Sequence, residues 1–185
     1  DFKINSGDRV GILGHNGSGK SSLLQVIAGI YEPTSGKIDQ HGSLTALIDI
    51  NQGLDFDATG YENILLKGIL HGYSLREIKE NLDGIIEFSG LGEFINMPIK
   101  NYSTGMVLRL AFASSTFKNQ DIFLLDEWIS VGDDDFLKKC EIRLGELIKD
   151  SEILVFATHD TELLNKVCNK YIKLDSGKIV EQGKI

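Results

Sequence analysis

Cysteine is scarce in this chain: Cys140 and Cys168 are the only two in 185 residues. That is too few for a disulfide framework. Neither they nor the four histidines, His15, His41, His71 and His159, show metal-ligand spacing. Helical spacing puts both cysteines on apolar faces, as reduced core residues. Positive charge is short as well, with 19 Lys and Arg against 27 Asp and Glu and a net charge of −8. This balance gives no electrostatic footprint for nucleic acid, so no nucleic-acid partner is expected. Any anionic ligand must be held by local geometry. Long apolar runs are missing too. The longest, Ile153-Leu154-Val155-Phe156-Ala157, falls far below the ~20 residues that span a bilayer. The start, Asp1-Phe2-Lys3-Ile4, has neither a charged leader nor an apolar segment. A cytosolic address is therefore expected. No repeat, linker or low-complexity segment breaks the chain, and its 42% apolar residues suffice for one core over 1–185.

What is present falls into short alternating blocks. Arg9-Val10-Gly11-Ile12-Leu13 reads as a strand that ends in a glycine loop. Leu23, Leu24, Ile27 and Ala28 then recur at helical spacing until Gly29 stops the helix. Glu32-Pro33-Thr34-Ser35-Gly36 is turn chemistry before a strand expected around Lys37 to Asp39. From about Thr59 to Gly92 the pattern is helical. Ser74-Leu75-Arg76-Glu77 forms a capping box, and Leu75, Ile78, Leu82, Ile85 and Ile86 share one face. Ser103 to Phe117 is a further helix, and Ile122 to Leu125 a buried strand. Asp134 to Lys149 is a helix with Leu137, Cys140, Leu144, Leu147 and Ile148 inward. Ile153 to Ala157 is a second buried strand, and Asp160 caps the helix carrying Leu163, Leu164, Val167 and Cys168. Tyr171 to Leu174 and Lys178 to Val180 flank Ser176-Gly177 as a closing hairpin. Fully apolar strands alternating with helices indicate a parallel sheet covered on both faces.

The chemistry begins at Gly14-His15-Asn16-Gly17-Ser18-Gly19-Lys20-Ser21, a complete phosphate-loop pattern between a strand and a helix. Its glycines let backbone N–H groups converge on phosphate oxygens at a helix N-terminus, where the dipole adds attraction. Lys20 supplies a point charge to the β- and γ-phosphates, and the Ser21 hydroxyl is suited to Mg²⁺. Roughly a hundred residues later, Asp121-Ile122-Phe123-Leu124-Leu125-Asp126-Glu127 ends a buried strand in two carboxylates. In a doubly wound sheet that end lines the ligand crevice. Asp126 is then placed for the metal, and Glu127 to orient or deprotonate an attacking water. His159 follows the second apolar strand and suits a γ-phosphate contact. In Tyr102-Ser103-Thr104-Gly105-Met106, Ser103 is a good N-cap whose free N–H groups would suit a further anion, or simply start a helix.

Together these motifs resemble the nucleotide-binding domains of ABC transporters over about residues 2 to 182. Gly14–Ser21, Tyr102–Met106, Leu125-Asp126-Glu127, Ser130-Val131-Gly132-Asp133 and His159 are similar to that family's Walker A, signature, Walker B, D-loop and switch histidine. The resemblance implies an α/β phosphate-loop NTPase fold: an ABC-type core sheet with helices on both faces and a helical subdomain inserted over approximately 54–118. It implies ATP and Mg²⁺. The nucleotide would be held by Gly14, His15, Asn16, Gly17, Ser18, Gly19, Lys20, Ser21 and Ser22, the metal by Ser21 and Asp126, and hydrolysis would be carried by Lys20, Glu127 and His159. Family domains pair head to tail, so Ser103 and Gly105 would act on the loop of a second copy. An integral membrane permease at the cytoplasmic face of the bacterial plasma membrane would be the further partner.

Tyr-Ser-Thr-Gly-Met at 102–106, Thr59-Gly60-Tyr61-Glu62-Asn63-Ile64, and Asp126 to Asp133 with Phe136 and Lys139-Cys140 are similar to the subfamily that exports surface polysaccharides. Its members move lipid-linked O-antigen, capsule or teichoic acid chains, contacting the glycan only through the permease. This chain departs from the family pattern in three places. The adenine-stacking aromatic would lie upstream of residue 1. The Q-loop residue is either Asp49 or Gln52. The chain stops soon after the closing hairpin, so it reads as a trimmed domain. The alternatives are a transporter ATPase for another substrate, or an ABC-type ATPase of DNA repair or the ribosome. Only about eighty residues separate loop and signature, which leaves no room for the inserted coiled coils of repair ATPases. One acidic domain is unlike the paired domains and basic linkers of ribosome-associated members. An unrelated phosphate-loop kinase is disfavoured by Ser103–Met106 and His159.

Overall fold

Strand formation follows the β-branched and apolar blocks, and the strand order follows from the crossovers between them. A computed structural model describes residues 2–127 and 133–185. Ser130-Val131-Gly132, with Trp128 and Ile129, lie outside the described residues. The strands are β1 (Arg9–Leu13), β2 (Leu44–Leu47), β3 (Ile122–Asp126), β4 (Ile153–Ala157), β5 (Lys170–Asp175) and β6 (Lys178–Lys184). They form a sheet in the order β2-β3-β4-β1-β5-β6. Every neighbouring pair is parallel except the β5–β6 hairpin. This is a mixed α/β phosphate-loop architecture with β1 near its centre.

Period-two alternation divides the strand residues between the sheet's faces. Val10, Ile12, Ile122, Leu124, Val155, Ala157, Ile172 and Leu174 share one cluster with Leu24 of helix α1 (Lys20–Ile27). Phe123, Leu125, Leu154 and Phe156, of opposite parity, are buried too. Gly11 belongs to that second face, where α6 (Thr161–Val167) lies so close that a Cβ at Gly11 would sit 2.3 Å from Leu164 Cδ1. Glycine is thus the residue that lets α6 approach β1. The strand expected at Lys37 to Asp39 does not form. Lys37 pairs with Asp39 at 2.8 Å in the open, Ile38 is 43% exposed, and β2 supplies the sheet edge instead. Its start is fixed by Asp121, whose Oδ2 accepts from the Ser43 N–H and hydroxyl, both at 2.7 Å.

The described residues divide into two compact units, 2–48 with 120–127 and 147–185, and 49–119 with 133–146. The first holds the sheet. The second contains α2 (Gly60–Leu70), α3 (Leu75–Ser89), two 3₁₀ turns (Gly92–Asn96 and Ile99–Asn101), α4 (Thr104–Ser115) and the first part of α5 (Asp134–Asp150). Both α2 and α3 start in complete capping boxes, Thr59 with Glu62 and Ser74 with Glu77. Hydrogen bonds from Lys118 and then from Ser74 hold the Glu77 carboxyl down at about 2. Ile64, Ile78, Ile85, Ile95, Ile99 and Leu110 make this unit's core. Leu75, expected on that face, is 51% exposed because it is the first helical residue after the Ser74 cap. Phe136 joins Phe88 and Phe112 in an aromatic cluster with the Arg109 guanidinium 4.9 Å above its ring.

Lys67 is only 2% exposed, and its ammonium donates to the carbonyls of Ile50 at 2.8 Å and Gln52 at 3.1 Å. Burial pushes this lysine down to about 8. Cys140 and Cys168 are free thiols, and burial pushes each up to about 12, which makes both inert core residues. Among the described residues, no helix is long and apolar enough to cross a membrane.

Gly11→Val should destabilise the protein by about 1–3 kcal/mol, because the buried Leu164 must be displaced from β1. Denaturant unfolding measures this, and an unchanged midpoint would show that α6 is not packed against Gly11.

Candidate functional site

Backbone shape makes the site before any side chain enters. Between β1 and α1 the chain turns through Gly17 (φ 80°) and Gly19 (φ 103°), left-handed conformations that glycine adopts without strain. Gly14 is required for a different reason. A Cβ there would lie 2.3 Å from Ser18 Oγ and 2.6 Å from the Leu174 carbonyl oxygen. Helix α1 opens at Gly19 with no side-chain cap and no acidic residue in its first turn. Its first N–H groups therefore remain available to an anion, and the helix dipole favours one.

Lys20 is 7% exposed, and its ammonium rests on the carbonyls of Gly14 at 2.8 Å and His15 at 3.3 Å. Such a cation, folded back over a ring of N–H groups, is what phosphate oxygens require. The Ser18 hydroxyl is buried and has no partner atom. His15 lies on the rim, with Nδ1 2.8 Å from the Asn16 carbonyl oxygen and Nε2 3.1 Å from Asp175 Oδ1.

The two carboxylates at the end of β3 differ in environment. Asp126 is hydrogen-bonded to the Ser21 side chain. Burial raises its carboxyl above the usual range and the neighbouring Glu127 adds to this, while Ser21 and Lys20 oppose it. Two hard oxygen donors side by side, Ser21 and Asp126, fit a divalent cation such as Mg²⁺. Glu127 takes a left-handed conformation, φ 65°, unusual for a residue with a side chain. Its N–H still donates to the Ala157 carbonyl at 2.8 Å, and its Oε1 lies 3.2 Å from His159 Nδ1. His159 is placed by β4 and by the turn into α6. There the Thr158 N–H donates to Ile12 O at 3.2 Å, and Asp160 Oδ1 accepts from the N–H groups of Glu162 and Leu163.

A cavity of about 480 Å³ is lined by Asn16, Gly17, Gly19, Lys20, Ser21, Ser22, Asp126 and Glu127, with Ile48. The structure therefore brings together most of the sequence-identified loop and both carboxylates, with His159 joined through Glu127. Gly14, His15 and Ser18 are not part of that lining. Ser103 and Gly105 belong to the other unit. There Ser103 caps α4, its Oγ accepting from the Met106 N–H at 3.2 Å, and a Cβ at Gly105 would meet nothing closer than 4.0 Å. Asp49 and Gln52 are also in that unit. Asp49 Oδ1 accepts from Asn51 N–H at 3.0 Å, and the Gln52 carbonyl is held by Lys67. Sequence reasoning missed Ile48, Lys67 and Asp175. Asp175 stands 160 residues from His15, and its one sequence signal is its place at the turn of a hairpin.

A family model described as ABC transporter matches residues 1–130. An O-antigen export system ATP-binding protein, RfbE of Yersinia enterocolitica, is 43% identical over 98% of this chain and 76% of that protein. A teichoic acids export ATP-binding protein, TagH of Lactiplantibacillus plantarum, is 40% identical over 98% of this chain and 50% of its own length. The chain thus spans about three quarters of the first relative's length and half of the second's. Among solved structures, an ATP-binding subunit of an ABC transporter superposes with a TM-score of 0.77 at 22% identity, covering 100% of this chain and 81% of that one. A dimeric ATP-binding cassette in a post-hydrolysis state, bound to ADP and Pi, superposes with a TM-score of 0.74 at 25% identity, covering 99% of this chain and 88% of that one. The chain belongs to the ABC transporter family, as one of its ATP-binding domains.

Proposed function

We propose that this chain is the ATP-hydrolysing motor of an ABC transporter that exports a lipid-linked surface polysaccharide of the O-antigen, capsule or teichoic acid type. The observation that carries the reading is the single cavity shared by Lys20, Ser21, Asp126 and Glu127, with His159 bonded to Glu127. The names of relatives at 40–43% identity support the substrate class.

In the mechanism, the N–H groups of Asn16 to Ser22 and the Lys20 ammonium bind the phosphates of ATP and neutralise charge on the transferred group. Ser21 and Asp126 would hold Mg²⁺, which when bound would supply Lewis-acid neutralisation of phosphate charge. The Glu127 carboxylate orients a water for in-line attack and takes its proton as the new O–P bond forms and the bond to the ADP oxygen breaks. His159, tied to Glu127, holds the γ-phosphate. Ser103 and Gly105 act on the loop of a second copy, so that ATP closes a head-to-tail dimer and hydrolysis reopens it. The remaining partner is a membrane permease on the cytoplasmic face of the bacterial plasma membrane. The ATPase attaches there peripherally, and the glycan meets only the permease.

Lys20→Ala should weaken ATP binding by about 100-fold or more. Glu127→Gln should retain binding, lose hydrolysis by about 10²–10³-fold and accumulate a dimer in ATP. Normal turnover in Glu127→Gln would overturn the role of Glu127. Recovery of the protein with ribosomes or DNA, and without a membrane subunit, would overturn the transport reading.

Glu127→Gly tests the backbone separately. Relief of a left-handed glutamate is worth about 1–2 kcal/mol, against about 0.5–1 kcal/mol lost to glycine's freedom when unfolded. Stability should rise by about 0.5 kcal/mol while hydrolysis is lost. A clear fall in melting temperature would mean that the left-handed turn carries no strain.

A further inference from the structure

His15 presents both ring nitrogens to oxygens that can only accept. Nδ1 faces the Asn16 carbonyl at 2.8 Å, and Nε2 faces the Asp175 carboxylate at 3.1 Å. A neutral imidazole has one N–H and satisfies one of these; the imidazolium satisfies both. Asp175 is itself fixed, accepting from the Ser176 hydroxyl at 3.0 Å. The same hairpin grips the loop through its main chain. The Gly177 N–H donates to Ser18 O at 2.9 Å, and the Leu174 carbonyl fills the space that Gly14 leaves open. The three residues so held, Gly14, His15 and Ser18, are those between 14 and 22 that do not line the cavity. The hairpin therefore fastens the part of the loop that does not itself line the cavity.

We propose that Asp175 is a positioning residue of the phosphate loop. Acting through the His15 imidazolium, it holds the loop in its nucleotide-binding form and makes nucleotide affinity fall as pH rises. The proposal rests on the nucleotide-binding reading above and extends it to a residue outside the loop. The ligand class is a nucleoside di- or triphosphate, whose charge also favours a second cation beside Lys20.

The charged groups around the imidazole are Asp175 from the hairpin and Lys20 from α1, with Lys173 acting on Asp175. The Asn16 carbonyl first, and then Asp175, hold the His15 imidazole above its usual 6.5, against smaller opposing effects of burial and Lys20. Asp175 is correspondingly lowered, by His15 and then Ser176. A raised folded-state value means that the clasp is fully formed below the ordinary histidine value and is lost as pH rises through the raised one. Affinity must then fall as pH rises above the ordinary histidine value.

The test is ADP binding in Mg²⁺ by calorimetry from about pH 6 to about pH 8.5, with the His15 ring followed by NMR in nucleotide-free protein and identified by its loss in His15→Gln. In the native protein His15 should titrate above 6.5, and ADP affinity should fall roughly three- to tenfold across the range. Asp175→Asn should lower the His15 value towards the ordinary one, the Asn16 carbonyl still acting on it, and should weaken ADP at low pH by a similar factor, leaving little further pH dependence. His15→Arg, a permanent cation able to pair with Asp175, should bind ADP tightly and without this pH dependence. Its NMR spectrum and flat profile keep the test decisive should Asp175→Asn be poorly folded. An affinity profile in Asp175→Asn that matches the native one would overturn the proposal alone, as would a His15 that titrates at its ordinary value. Absence of ADP binding by the native protein would instead overturn the nucleotide reading, and the proposal with it.

Discussion

Because Ser18 Oγ and the Leu174 carbonyl occupy the space where a Cβ at Gly14 would stand, the turn after β1 can close only around a bare backbone. The rest of the site depends on that closure. It points Lys20 back over its own loop to the carbonyls of Gly14 and His15, and it leaves the first N–H groups of α1 uncapped. It also brings Ser21 to Asp126 at the end of β3. A side chain at residue 14 would displace the hairpin or the loop, and with either the donor ring would be lost.

The net charge of −8 sharpens this constraint. A polyphosphate approaches a protein of its own sign, so binding must come from preorganised dipoles and a few cations at short range. Lys20 is one such cation, buried and already desolvated. The His15 imidazolium is a second and differs in kind, since it is exposed and is favoured by its two acceptors, the Asn16 carbonyl and Asp175. Local order therefore does for this chain what a basic surface does for others. That order is supplied by a hairpin far from the loop in sequence.

Legibility in the sequence tracked how local each determinant is. β1, β3 and β4 are contiguous apolar runs bounded by turns, and their limits were readable to within a residue. So were the phosphate loop, the two carboxylates and the Asp160 cap, whose partners lie within a few positions. β2 was not, because Leu44–Leu47 is short and becomes a strand through pairing with β3 and through Asp121, 78 residues away. Lys37 to Asp39 looked as good as a strand locally but has no partner to complete it. The same reason hid Lys67 and Asp175. A buried lysine reads as a surface residue until the two carbonyls it caps are known, and nothing near Asp175 in the chain announces His15.

Asp126 and Glu127 show how such constraints combine. Consecutive residues of a strand point to opposite faces, so two adjacent carboxylates at the end of a regular β3 would diverge. Both instead line one cavity. The left-handed turn at Glu127 is what reconciles these facts, since it ends the strand's alternation while its N–H keeps the bond to Ala157. The carboxylates arrive with different character: Asp126 is partly buried beside Ser21, and Glu127 is open to solvent and bonded to His159. A glutamate held in a conformation that suits glycine is strain kept for function. Under the proposed function, it gives one short segment both the oxygen offered to the metal and the base that would orient the water.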